Sequence, residues 1–170
     1  MQELNFSIRK IKFGWFDFTL GDAEVCASNV SGHDGPRQLL KLLSELLTGE
    51  RGEGYAVFEE EPGANILSIK RGEQDQLTLW YTKKNLLDWY PMTVGQHSVL
   101  TELPRNLKLE EPLLSVEDLD LYRFACTVGD AFSAYISKKM RDKYIGNWMP
   151  FPLEELTDLR HTLGDYSEHL

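Results

Sequence analysis

Apolar and polar positions alternate through the first 28 residues. Phe6 and Ile8, then Ile11, Phe13 and Trp15, then Phe16, Phe18 and Leu20 recur at a spacing of two, which puts side chains on one face of a strand. Gly14 marks a bulge or turn between the first two strands, and Gly21-Asp22 a turn into a third at Glu24-Val25-Cys26-Ala27. This is the pattern of a β-meander.

The period then changes. Leu39, Leu40, Leu42, Leu43, Leu46 and Leu47 form one helical stripe, predicting a helix over 36–48 with Asp34 or Gly35 near its cap, Pro36 in its first turn and Gly49 at its stop. Strand patterns return at 55–59, 66–70 and 76–81, joined by Pro62-Gly63 and by turn residues over 72–75, and predict a second antiparallel meander. Three prolines interrupt 82–114, where one further strand is predicted near 98–103. Ser115 followed by Glu117 and Asp118 reads as a capped helix start. The stripe Leu121, Phe124, Ala125, Val128, Phe132, Tyr135 and Ile136 extends that helix, and Lys138, Lys139, Arg141 and Lys143 suit its negative end before Gly146. Leu153, Leu156, Leu159 and Leu163 predict a short last helix, with the tail over 164–170 fraying.

These elements define an α+β fold: a single domain over 1–170 whose antiparallel sheet, built from two β-meanders, is covered by two to three helices. Composition agrees, because 170 residues with 42% hydrophobic and 26% charged side chains suffice for one core without staples. The net charge of −9 disfavours nucleic acid, whose affinity comes from lysine and arginine on phosphates, and favours a basic partner. With no signal-peptide pattern and no apolar run long enough to span a bilayer, the expectations are a cytoplasmic location and no membrane partner.

Candidate chemistry is sparse. Cys26 and Cys126 lack metal or redox spacing and read as small apolar residues. The glycines over 49–54 follow a helix and precede a strand, the reverse of a phosphate-binding loop, and no nucleotide motif occurs. Ser31, His33 and Asp34 lie too close in one turn to form a nucleophile relay. His161, Asp165 and His169 share helical spacing, but Gly164 is expected to break the helix between them. No cofactor and no metal are expected.

Surface recognition is the stronger theme. Glu59, Glu60 and Glu61 cluster at a turn before Pro62-Gly63, although strand alternation sends Glu59 and Glu61 to one side and Glu60 to the other. Trp89 and Tyr90 are aromatic anchors if exposed, whereas Trp80, Tyr81, Trp148 and Phe151 suit a core. The preferred reading is a non-enzymatic protein-interaction domain that binds a basic protein partner through Glu59, Glu60, Glu61, Trp89 and Tyr90, a toxin-neutralising immunity protein being one concrete version. Two alternatives are carried: a small hydrolase or metal-dependent enzyme whose distant carboxylates converge with His33 or His97, and a structural homodimer that buries the aromatic cluster.

Overall fold

Phe13 and Gly14 form the two-residue turn that closes the first hairpin, both at positive φ (53° and 80°), the requirement of a tight hairpin turn that follows the strand twist. The computed structural model describes residues 2–30, 32–60, 63–85 and 112–167. Strands β1 (Phe6–Lys12), β2 (Trp15–Leu20) and β3 (Ala23–Ser28) make the expected antiparallel meander. Its register shifts between Ile8 and Lys10, so the irregularity lies inside β1 and Gly14 is the turn.

The second sheet has the order β4 (Glu53–Glu60), β5 (Gly63–Arg71), β6 (Gln76–Asn85) and β7 (Leu114–Asp120), all antiparallel. Helix α1 (Gly35–Thr48) lies between the sheets in sequence and buries its six-leucine stripe against β4. Its ends obey their capping chemistry. Asp34 Oδ1 accepts a hydrogen bond from the Arg37 N–H at 3.2 Å, and Gly49 takes the left-handed conformation at φ 79°.

Strand β7 corrects the helix expected to start at Ser115. Residues Leu114–Asp120 pair with β6, and Asp120, not Ser115, caps helix α2 (Leu121–Ser133) by accepting from the Arg123 N–H at 2.9 Å. The helix also ends earlier than its apolar stripe. Tyr135 and Ile136 fall in a connection, and Ser137 caps a separate helix α3 (Lys138–Asn147). Lys138, Lys139, Arg141 and Lys143 therefore begin a helix instead of finishing one, so the dipole does not explain them. Helix α4 (Leu153–Ser167) continues through Gly164. The predicted strand near 98–103 lies outside the described residues.

One core joins all these elements. Phe16 and Phe18 of β2 meet Phe58 of β4, Phe132 of α2 and Trp148 after α3, while Leu156, Leu159 and Leu163 of α4 pack onto α1 and α2. Tyr144 fixes α3 to this core: its ring stands edge-on to Phe151 at 5.1 Å and to Tyr135 at 5.8 Å, fully buried. Its hydroxyl has no hydrogen-bond partner among the described residues, and burial pushes its pKa far up. Leaving a buried donor unsatisfied costs about 1–3 kcal/mol, so Tyr144→Phe, which keeps the ring contacts, is expected to stabilise the fold by about 1 kcal/mol. A lower urea midpoint for the variant would show that the hydroxyl has a partner of its own.

Candidate functional site

Polar contacts between residues 118 positions apart converge where α1 crosses α4. Arg37, in the first turn of α1, reaches Glu155 of α4 at 2.5 Å, Asp34 at 3.2 Å and the Pro150 carbonyl at 3.3 Å. Two turns further on, the Ser44 and Thr162 hydroxyls share a hydrogen bond of 3.0 Å. Both helices need these contacts because their apolar stripes face the core and leave polar residues along the outer seam.

Outside that seam lies an open groove of about 500 Å³, lined by Glu45, Glu50, Glu154, Glu155, Asp158 and His161 among others. Glu45 is held by Arg51 at 2.7 Å and Lys41 at 3.8 Å. Glu50, Glu154 and Asp158 make no ion pair among the described residues. Arg37 occupies only one oxygen of Glu155; the other, Oε2, is buried without a hydrogen-bond partner among the described residues. Glu154 and Glu155 sit in the first turn of α4, where the helix dipole stabilises their negative charge. His161 turns to Asp165, 3.0 Å away across one helical turn.

Asp34 behaves differently from a surface carboxylate. Burial raises its pKa above the ordinary 3.8, and the Arg37 backbone N–H and guanidinium only partly offset this. For Arg37 burial works the other way, but Glu155 and Asp34 outweigh it and hold the guanidinium charged.

The acidic residues of the β4–β5 hairpin are placed as alternation requires, on opposite faces. Glu59 is buried, only 7% exposed. Glu60 binds Lys83 at 2.8 Å and accepts from Asn65 at 3.1 Å; Asn65 also donates to the Cys26 carbonyl at 2.7 Å and accepts from the Tyr81 hydroxyl at 2.8 Å. This polar lock ties β3 to the second sheet. Burial pushes the Cys26 thiol up to about 11, helped by the hydrogen bond and charge of Asp17, and burial with the Glu60 charge pushes Tyr81 up to about 12. At neutral pH neither is ionised, which suits structure better than nucleophilic attack. Glu61, Trp89 and Tyr90 lie outside the described residues.

The other candidates also have structural positions. His33 is buried with Nε2 3.0 Å from Gln38 Oε1, which in turn accepts from the Val57 N–H at 3.0 Å; Ser31, His97 and His169 lie outside the described residues. Trp148 and Phe151 are core residues, and Tyr81 is buried. No group of three or more His, Cys, Asp or Glu among the described residues is arranged to hold a metal. Among the described residues no helix is long and apolar enough to cross a membrane. The groove itself was not foreseen from sequence: Glu154, Asp158 and His161 recur at helical spacing, but only the packing of α4 on α1 brings Glu45 and Glu50 opposite them. No protein-family model, curated protein or solved structure matches this chain.

Proposed function

We propose that this protein is a non-catalytic interaction module that binds a basic protein partner, with the α1–α4 groove as its main contact surface. The observation that carries this reading is the set of carboxylates in that groove: among the described residues Glu50, Glu154 and Asp158 make no ion pair and one buried oxygen of Glu155 has no hydrogen-bond partner. A partner lysine or arginine entering the groove would supply the missing donor to Glu155 Oε2, a charge-assisted contact made away from bulk water. The net charge of −9 adds long-range steering toward a basic surface. Blocking a basic active site, as an immunity protein does, is a mode of action that fits this reading. The cytoplasm is the proposed place of action, supported by two free cysteines, Cys26 and Cys126.

Affinity capture from the native source at low salt, followed by kinetics on the purified pair, tests this. The wild type is expected to retain a basic protein that high salt releases, and E154K/D158K to lower the association rate by about tenfold. A rate indifferent both to ionic strength and to that charge reversal would sink the proposal.

A further inference from the structure

The opposite electrostatic character appears where the β1–β2 turn meets α3. The Gly14 N–H donates to the Asn147 carbonyl at 2.8 Å and the Phe13 N–H to Asn147 Oδ1 at 3.3 Å, which seats the hairpin tip on the C-terminal end of α3. At this junction the chain exposes three large apolar side chains: Phe13 is 79% exposed, Trp15 42% and Ile145 52%. Lys10 and Lys12 belong to β1 and Lys138, Lys139, Arg141 and Lys143 are spread along α3 with Asp142 as the one acid among them; none of these cations is in an ion pair among the described residues. Lys12 lies over the Phe13 ring, 4.6 Å from its centre.

Neither half of this surface is explained by folding. Phe13 occupies a left-handed turn position, φ 53°, that disfavours a bulky side chain and favours asparagine or glycine, yet its ring packs into no core. Helix α3 buries only Tyr144 completely, so its cations do not serve an amphipathic packing face.

We infer that the Phe13–Trp15 tip and α3 form a peripheral docking surface for an anionic lipid bilayer. Shape and composition select this occupant. Phe13 projects from the turn, with Trp15 at the start of β2 and Ile145 on α3 also exposed, and a bilayer receives such side chains without a preformed pocket. Five of the six cations are lysine, which protein interfaces disfavour while anionic lipid surfaces attract it as strongly as arginine. Phe and Trp flanked by lysine is the composition of groups that settle at the headgroup boundary. The net charge of −9 does not by itself forbid this, because at physiological ionic strength charge more than about 8 Å from the membrane is largely screened. Peripheral docking requires no spanning helix, so it is compatible with the lack of one among the described residues.

Flotation with phosphatidylcholine vesicles, with and without phosphatidylserine, tests the inference. The full chain is expected to float only with the phosphatidylserine vesicles and to be released by salt. Phe13→Asn should lower partitioning by at least about tenfold through loss of the apolar anchor, while raising Tm by about 2–4 °C through relief of the turn. K139Q/K143Q should lower it roughly 30-fold, about fivefold for each lysine, without unfolding the protein. Wild-type protein that ignores phosphatidylserine at low salt overturns the proposal. So does binding of poly-glutamate or a single-stranded oligonucleotide, lost in K139Q/K143Q, with no vesicle binding, since the surface would then serve a protein or a nucleic acid.

Discussion

Gly35→Ala is expected to destabilise the protein by about 3 kcal/mol or more, a large penalty for one added methyl group. Gly35 opens α1 and is buried against β4; an ideal Cβ there would overlap the Val57 carbonyl oxygen and come within 2.6 Å of Phe58 Cδ1. Neither neighbour has room to retreat. Val57 pairs with Ile66 in the sheet and its N–H is fixed by Gln38 of α1 itself, while the Phe58 ring packs 4.7 Å from Phe18. Relief therefore requires the helix start to lift from the sheet, which would pull Arg37 away from Glu155 and open the seam beneath the groove. Gly54 supplies the control. Its added Cβ would overlap Leu42 Cδ1, the end of a side chain that can rotate, so Gly54→Ala is expected to cost about 1 kcal/mol. Urea unfolding of the two variants compares them directly, and equal midpoints would mean that α1 is not seated on the Val57 backbone as described.

The same contrast between local pattern and packing explains how much of the fold was legible. Strands β1 to β3 and helix α1 declare themselves because their periods, turns and caps agree: Gly21 turns at φ 58°, Asp34 caps and Gly49 stops. Strand β7 was hidden by its bulge. The register shift opposite Leu77 and Leu79, with Asp118 at φ 54°, leaves buried Val116 and Leu119 three residues apart, a helical spacing inside a strand. Ser115 and Asp118 then imitate a cap. Tyr135 and Ile136 misled similarly, since apolar spacing carried the stripe past Ser133 although Ser137 caps a new helix. Gly164 passes through α4 at a cost of about 1 kcal/mol relative to alanine, which a helix anchored by Leu156, Leu159 and Leu163 tolerates. The groove was less legible still. Arg37 and Glu155 are 118 positions apart, and no local period reports a pairing set by two helices crossing.

That pairing gives the second large effect. Arg37→Ala is expected to cost about 2–3 kcal/mol at neutral pH: removing one member of a buried charge group costs about 3–5 kcal/mol, and the 36% exposure of Arg37 reduces this through solvent screening. The loss leaves Asp34 and Glu155 facing each other across the helix seam without their shared cation. Its pH dependence follows from Asp34. The folded-state pKa is already raised above 3.8 by burial, and without Arg37 it rises further because the opposing charge is gone. Between the unfolded and folded values the native state holds the extra proton, so this group's contribution to stability is full below 3.8 and is lost as pH rises through the folded value. The Arg37→Ala penalty should thus be greatest near neutrality and shrink on acidification. Asp34→Asn supplies an uncharged cap of similar strength, so D34N/R37A is expected to recover part of the single-variant loss at neutral pH and to flatten its dependence on acid. Urea titrations of the three proteins across the acid range read both effects. A penalty for Arg37→Ala that grows on acidification, or a double variant no more stable than R37A at neutral pH, would place the destabilisation elsewhere than in the stranded Asp34 charge.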